Sequence, residues 1–220
     1  LDFPGEEYQR LSPVDSSSMR PWTEVVPDVL DPLITQLKTL NLSAEADLKA
    51  RSAALLQLAS DLERDAAPLA RLITMENGCP VAQSVGLQVQ SAVALIRSLV
   101  EQASEFAFTE ERAGARGGKV RIDRLPIGIA LGIVPCNVPV FLACLKLTTA
   151  LLAGCPVVLK PSPENVDSMA LFSRYLARMD LPTGAVNLIL GGRVLGDHLV
   201  RNDVFRKVSF TGSSASGLAV

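Results

Sequence analysis

The sequence has little of what metal or catalytic-triad chemistry requires. It contains one histidine, His198, and no pair of its cysteines has the Cys-x-x-Cys spacing. A structural zinc site needs clustered cysteine and histidine ligands, and a serine triad needs a histidine beside its nucleophile. We therefore expect no metal site, and free thiols in a reducing, cytoplasmic compartment. The four cysteines are Cys79, Cys136, Cys144 and Cys155.

The net charge is also small, and no long apolar stretch is uninterrupted. The net charge is −2, and the positive residues form no stripe, so nucleic acid is not expected as a partner. The longest apolar stretch, from Pro139 to Leu159, is interrupted by Lys146 and by Gly154-Cys155-Pro156. We interpret it as a helix followed by a strand, and we expect no membrane span. Residues 1–20 lack the apolar core of a signal peptide.

What the sequence does contain is typical of an α/β protein. It is 48% hydrophobic, and buried parallel strands have continuous apolar runs of this kind. From residue 127 onward, strand and helix patterns alternate. This order predicts a doubly wound, Rossmann-like parallel sheet with right-handed crossovers. The predicted strands are 127–134, 156–159, 186–190 and 207–210, and the predicted helices are 140–153, 166–179, 194–200 and one from 213.

The sequence before residue 127 has a different character. Residues 1–22 are predicted to be an extended arm. Residues 23–113 are predicted to be helices that pack on the domain that follows, including one that Ser43 caps, one that Gly78 ends and a long one from Val81 to about Glu111. Residues 114–126 are predicted to hold a strand after a turn at Gly117-Gly118, or the arm of a hairpin. Residues 127–220 form the predicted Rossmann-like domain.

Four segments follow the predicted parallel strands. Doubly wound sheets bind ligands beyond the carboxyl ends of their strands. These segments are therefore the candidate site, and they are Pro135-Cys136-Asn137, Lys160 to Glu164, Gly191 to Gly196, and Thr211-Gly212-Ser213.

Each of these segments has a functional and a structural interpretation. Thr211-Gly212-Ser213 opens a helix and can bind a phosphate, although Ser213 can also be an ordinary N-cap. Gly191, Gly192 and Gly196 do not make the Gly-x-Gly-x-x-Gly fingerprint, so they allow close approach of a ligand or simply form a turn.

Lys160 and Asn137 also have both a functional and a structural interpretation. Lys160 can donate to ligand hydroxyls or phosphate, or can extend to solvent from the sheet edge. Asn137 lies between two prolines, and it can donate to a developing oxyanion or satisfy a turn.

Together these motifs resemble the NAD(P)-dependent aldehyde dehydrogenase superfamily. The resemblance covers roughly residues 45–220. It depends on "LPIGIALGIVPCNVPVFLACLKLTTALLAGCPVVLKPSPE", "LPTGAVNLILGG" and "KVSFTGSSASG", preceded by a helical region similar to that before the family's first core strand.

The resemblance implies roles for these residues. Asn137 would stabilise the oxyanion, and Lys146 would belong to a proton relay. Lys160 would bind the adenosine ribose, Gly192 and Gly196 would face the adenine, and Thr211, Gly212 and Ser213 would face the pyrophosphate and nicotinamide. Val134, Pro135 and Cys136 would line the path to the nicotinamide.

The sequence also departs from the family pattern. Cys136 replaces the usual tryptophan, and Pro163 replaces the glutamate of many NAD-preferring members, so the resemblance implies NAD or NADP without choosing between them. The family's nucleophilic cysteine and general-base glutamate lie downstream of the Thr-Gly-Ser motif. We therefore expect a truncated chain, the cofactor-binding half of an enzyme that oxidises a small-molecule aldehyde to a carboxylic acid.

Two alternatives remain open at this point. One is a nucleotide-binding module without catalytic activity, and the other is an acyl-CoA or acyl-phosphate reductase on the same scaffold. The segment around 119–125 resembles the family's oligomerisation strand, which implies a homo-oligomer, a dimer or tetramer, in the full-length protein.

Overall fold

The computed structural model describes residues 7–25, 27–40 and 47–220. Its first strands, β1 (Glu7–Tyr8) and β2 (Trp22–Thr23), pair in antiparallel fashion. Residues 7–23 therefore fold back on themselves, and the expectation of an extended arm is corrected for this part of the chain. The cause is a turn in which the Asp15 carboxylate accepts from the backbone N–H of Ser17 at 3.1 Å and from its hydroxyl at 2.7 Å.

Helices dominate the region between β2 and residue 104. A 3₁₀-helix (Pro27–Leu30) leads into α1 (Asp31–Thr39). The predicted cap at Ser43 lies outside the described residues. Gly78 ends the helix Ala66–Asn77 with φ of 76°, as predicted. The following helices are α2 (Leu48–Arg64), α3 (Ala66–Asn77), α4 (Val81–Gln83), a π-helical segment (Ser84–Gln90) and α5 (Ser91–Ser104).

The helix predicted to reach Glu111 ends earlier. Residues after Ser104 leave the helix, and β3 (Thr109–Ala113) pairs with β4 (Lys119–Asp123) in an antiparallel hairpin. The Phe106 and Phe108 rings contact each other at 4.9 Å, and the Arg124 guanidinium lies 5.5 Å from the Phe106 centroid. The contact of Phe106 with the distant Arg124 accompanies the end of the helix. Within the predicted segment 114–126, strand β4 forms one arm of the hairpin.

The predicted parallel sheet is present. Residues 127–220, all described, contain a sheet with the order β7-β6-β5-β8, in which all neighbouring strands are parallel. Its strands are β5 (Ile129–Val134), β6 (Val157–Pro161), β7 (Val186–Leu188) and β8 (Phe205–Phe210), and its helices are α6 (Pro139–Leu152), α7 (Val166–Leu176), α8 (Arg193–Arg201) and α9 (Ser214–Ala219). A short 3₁₀-helix spans Pro163–Asn165.

Helices cover both faces of this sheet. Val157 and Leu159 belong to the larger core cluster, which also contains residues of α2, α3, α5, α6 and α7. Val158, between them, points to the second cluster, with residues of α1 and α8. Because successive side chains of a strand point to opposite faces, an unbroken apolar run is the pattern of a sheet buried on both sides.

The apolar stretch from Pro139 to Leu159 divides as predicted. It forms helix α6, a turn and most of strand β6. Throughout the described ranges, no helix has both the length and the apolar character needed to cross a membrane.

Candidate functional site

The site is built from the loops that follow the four parallel strands. Since parallel strands end at the same edge of a sheet, these loops share the carboxyl edge. Strand order places the Asn137 loop, after β5, between the Lys160 segment of β6 and the Thr211 segment of β8. The segment from Gly191 to Gly196 follows β7 beyond Lys160. Val134, the last residue of β5, pairs with Pro161.

Lys160 is buried at this edge. Its side chain does not extend to water, because the residue is only 6% exposed. Its Nζ donates to the carbonyl oxygen of Pro161 at 3.4 Å. Burial lowers the Lys160 pKa. Among the residues that the structure describes, no carboxylate forms an ion pair with Lys160 at contact distance, so this buried ammonium is suited to a polar ligand.

Lys160 packs against the start of α8. A Cβ on Gly196 would lie 3.4 Å from the Lys160 Cε, which is ordinary van der Waals contact. Gly192 is the N-cap of α8, and its backbone N–H donates to the Glu24 carboxylate at 2.6 Å. Glu24 was not among the residues predicted for the site.

The loop after β5 is held by two amide side chains. The Asn77 Nδ2 donates to the carbonyl oxygens of Cys136 and Asn137 at 3.1 and 3.2 Å. The Gln88 Nε2 donates to the Asn137 carbonyl at 2.8 Å. The Asn137 side chain itself is exposed. These bonds fix the backbone of Asn137 and leave its carboxamide free to face a ligand.

Sequence reasoning missed Asn77 and Gln88. Gln88 is fully buried and lies in the π-helical segment. Such segments occur frequently at functional sites. Neither the apolar periodicity around Gln88 nor a local motif marks it, because its partner is 49 residues away.

Cys136 is half-buried beside Asn137, with Pro163 across the edge in the segment after β6. Burial raises the pKa of the Cys136 thiol, and the negative charge of Glu164 raises it further. Since the thiolate is the nucleophilic form, Cys136 is a poor nucleophile at neutral pH. It can line the site, as predicted for it, without reacting.

Lys146 connects α6 to the end of β8. Its Nζ donates to the Ser209 hydroxyl at 2.9 Å and to the Thr211 hydroxyl at 3.0 Å. The residue is 8% exposed, and burial lowers its pKa. The Gly132 backbone makes room for it, because a Cβ there would lie 3.2 Å from the Lys146 Cδ. Two predicted site residues, Lys146 and Thr211, are thus in direct contact.

At the turn into α9, Ser213 has the structural role of the two that the sequence allowed, that of an N-cap. The Ser213 hydroxyl accepts from the Ser216 backbone N–H at 3.2 Å, which is an ordinary N-cap. A Cβ on Gly212 would lie 2.5 Å from the Phe210 ring, so a larger residue there would require that ring to move. Ser213 and Gly212 are exposed and available to a ligand that approaches the edge.

These residues fit the demands of a dinucleotide. The edge offers a buried ammonium, glycines at the starts of α8 and α9, and the hydroxyls of Thr211 and Ser213, which suit ribose and phosphate oxygens. Among the residues that the structure describes, no three or more His, Cys, Asp or Glu side chains are grouped to hold a metal ion.

Comparison with known proteins identifies the family. The model of the aldehyde dehydrogenase family matches residues 35–220. This chain is a member of the aldehyde dehydrogenase family.

Individual aldehyde dehydrogenase relatives agree with this assignment. Geranial dehydrogenase from Castellaniella defragrans is 35% identical over 174 residues, which are 79% of this chain and 36% of that protein. The structure of PnpE in complex with nicotinamide adenine dinucleotide is 28% identical, with a TM-score of 0.88 over 97% of this chain and 44% of that one. PnpE has also been solved from Pseudomonas sp. WBC-3.

A third relative carries the other cofactor. NADP-dependent glyceraldehyde-3-phosphate dehydrogenase from Bacillus halodurans, complexed with NADP, is 26% identical with a TM-score of 0.86, over 97% of this chain and 46% of that one. The chain thus spans under half of the length of each of these three proteins.

Proposed function

We propose that this chain is the NAD(P)-binding part of an enzyme that oxidises an aldehyde to a carboxylic acid. One observation carries the proposal: the loops after four parallel strands place a buried lysine, an exposed amide, glycines and hydroxyls along one sheet edge, in a chain of the aldehyde dehydrogenase family. Solved relatives that hold NAD or NADP support the same cofactors here.

Different residues of the edge would contact different parts of the cofactor. Lys160 donates to the adenosine ribose, and Gly192 and Gly196 allow the adenosine to lie against α8. Thr211, Gly212 and Ser213 receive the pyrophosphate and nicotinamide side. When bound, the cofactor supplies a hydride acceptor. Val134, Pro135 and Cys136 line the approach to the nicotinamide, and Pro163 borders the ribose.

Asn137 would provide the electrostatic part of the reaction. Its carboxamide N–H donates to the aldehyde oxygen as negative charge develops there, and its backbone is already fixed by Asn77 and Gln88. A preorganised donor of this kind contributes about 3 kcal/mol to transition-state stabilisation.

Lys146 would move a proton at the end of β8. Burial lowers its pKa, so its ammonium releases a proton more readily than an exposed lysine. The Thr211 hydroxyl, which already accepts from Lys146, is the group through which that proton passes toward the nicotinamide side.

We further propose that the reacting thiolate is none of the four cysteines here. Cys144 and Cys155 are buried, and burial raises the pKa of Cys144 far above its usual range. Cys79 is partly exposed, but it lies in the α3–α4 turn rather than after a parallel strand. Free thiols of this kind are typical of a reducing compartment such as the cytoplasm.

The β3–β4 hairpin is the proposed assembly surface of a homo-oligomer, a dimer or tetramer, in the full-length protein. Val120, Leu125 and Ile127 are large apolar residues that are 50%, 81% and 60% exposed on and beside β4. Apolar groups beside an open strand edge favour pairing with another chain. Sedimentation equilibrium tests this proposal, and a monomer at every concentration would contradict it.

Nucleotide titration tests the cofactor assignment. Trp22 is the only tryptophan and lies two residues before Glu24, whose carboxylate contacts Gly192, so its fluorescence should change on addition of NAD+ or NADP+. Lys160→Met should weaken binding by at least about tenfold, because it removes a charged hydrogen-bond donor. Lys119→Met, which changes an exposed lysine of β4, should leave binding unchanged.

Two results would overturn the assignment. One is an absence of binding in the unaltered chain, and the other is equal binding by the Lys160→Met and Lys119→Met variants. Slower amide exchange at 211–213 on adding nucleotide gives an independent measure, because the proposed site includes those backbone groups.

A further inference from the structure

The N-terminal segment places a carboxylate at the carboxyl edge. Glu24, directly after β2, accepts from the Gly192 backbone N–H at 2.6 Å through Oε1. Both carboxylate oxygens lie 3.2–3.3 Å from the position that a Cβ on Gly192 would occupy. The contact joins residues 168 positions apart in the sequence, so the fold and not the local chain creates it.

This carboxylate lies close to Lys160. Gly192 and Gly196 are four residues apart, one helical turn, so they lie on the same face of α8. Glu24 lies against Gly192, and the Lys160 Cε lies against Gly196. The negative charge of Glu24 opposes the lowering of the Lys160 pKa that burial causes, and it is the stronger of the two carboxylate effects on that lysine.

The segment that carries Glu24 is firmly anchored. Arg10, which follows β1, is 5% exposed. Its Nη2 lies 2.8 Å from the Asp167 carboxylate and its Nη1 lies 3.2 Å from the Glu76 carboxylate. Arg10 also donates to the Arg20 carbonyl at 3.1 Å, which closes the turn before β2. Glu24 is therefore held at the edge by a buried ion-pair cluster.

Glu164, the other carboxylate near Lys160, is engaged locally. It accepts a hydrogen bond from the Ser162 hydroxyl. Its charge raises the pKa of Cys136, and its effect on the Lys160 pKa is weaker than that of Glu24. Pro163, beside it, has no polar side chain. Glu24 is the carboxylate on the α8 side of Lys160.

We infer that Glu24 is the specificity-determining residue that makes this site prefer NAD over NADP. A carboxylate has about four acceptor positions, so Glu24 can keep its bond to Gly192 and still accept from a ribose hydroxyl. The same carboxylate repels the 2′-phosphate of NADP. This inference rests on the proposed function, because it assigns a ribose to the Lys160 side of the edge.

Titration of the chain and its Glu24→Gln variant with NAD+ and NADP+ tests the inference. We expect the unaltered chain to bind NAD+ at least about tenfold more tightly than NADP+. Glu24→Gln should lower that preference by about tenfold or more, with weaker NAD+ binding and tighter NADP+ binding. Glu164→Gln is the matched control and should leave the preference unchanged.

Several results would overturn the inference. An unchanged preference in Glu24→Gln would do so, as would an equal tightening of both nucleotides, which would make Glu24 only an obstruction. An equal effect of Glu164→Gln would assign the selection to that residue instead.

Nucleotide binding by the unaltered chain distinguishes failure of the proposed function from failure of the inference about Glu24. If it binds neither nucleotide, the proposed function fails and the inference fails with it, whereas binding without a Glu24 effect overturns the inference alone. Far-ultraviolet circular dichroism checks that the variants are folded. If Glu24→Gln does not fold, Glu24→Asp, which withdraws the carboxylate by one methylene, should lower the preference in the same direction.

Discussion

The protein uses charged residues in two contrasting ways. In the β3–β4 hairpin, Lys119 and Glu111 form an ion pair whose side chains are 78% and 55% exposed. Near the carboxyl edge, Arg10 and Glu76 form an ion pair whose side chains are 4% and 0% exposed. The residue types are similar, but the surroundings differ almost completely.

The contrast shows where charge can position a functional group. An exposed pair is solvated whether it forms or not, so it contributes about 0–1 kcal/mol and holds little in place. A buried pair must be fully satisfied, because a lone buried charge is very costly. The Glu76 carboxylate accordingly also accepts from the backbone N–H groups of Asp167 and Ser168, at 2.6 Å and 3.3 Å.

The largest expected effect comes from breaking the buried cluster. Arg10→Met should lower the free energy of unfolding by about 3–5 kcal/mol, because it leaves the Glu76 carboxylate buried without its cation. Arg121→Met is the matched control, since Arg121 pairs with Asp123 on the exposed hairpin and should cost under about 1 kcal/mol. Urea unfolding measures both variants. Equal losses of unfolding free energy in the two variants would contradict the contrast between the buried Arg10 cluster and the exposed hairpin.

Alkaline pH extends the comparison to a buried tyrosine. Tyr175 is 1% exposed, and its pKa is raised from 10.0 to about 12, mainly by burial and then by the Asp65 charge. The folded protein thus keeps this proton after the unfolded chain has lost it. The stabilising effect is fully present below pH 10 and is lost as the pH rises through about 12.

Tyr175→Phe should therefore remove part of the alkaline instability. Relative to the variant, the unaltered protein should lose on the order of 2 kcal/mol between pH 10 and 12. Urea unfolding at a series of pH values measures the difference. A difference between the two proteins that does not change with pH would contradict the raised pKa.

A smaller effect is expected from the amide that holds the Asn137 loop. Gln88→Met should cost about 1 kcal/mol, because the Asn137 carbonyl keeps its second donor, Asn77. The same change should accelerate hydrogen exchange at the Cys136 and Asn137 amides.

Gln90→Met is the control for this prediction, because Gln90 lies in the same π-helical segment but is exposed. If both variants accelerate exchange at the loop to the same degree, Gln88 has no specific role in holding it.

The sequence predicted the parallel part of the fold closely. Gly78 appeared as a left-handed cap, and Pro139 to Leu159 as a helix and a strand, because local backbone preference and apolar periodicity specify both. The prediction that the helix from Val81 reaches about Glu111 was wrong, because the helix ends at Ser104. The contact between Phe106 and Arg124 joins two segments whose pairing no local sequence pattern encodes.

The residues of the candidate site likewise fall into those that local sequence predicts and those that it does not. Asn137, Lys160 and Thr211 could be named from sequence because each follows an apolar strand, and the carboxyl ends of parallel strands meet at one edge. Gln88 and Arg10 could not, because each is a polar residue within a stretch that also suits a surface helix or loop. Only burial against distant partners gives them their positions.

By itself, then, the sequence determined which strands are buried on both sides, where they end, and which polar side chains stand at those ends. Only the tertiary structure decided what surrounds them: the lysine inside the edge, the amide clamp on the Asn137 loop and the Glu24 carboxylate beside Gly192. The reason is physical. Strand burial and chain reversal depend on neighbouring residues, whereas contacts that span 49 to 168 positions depend on how whole elements pack.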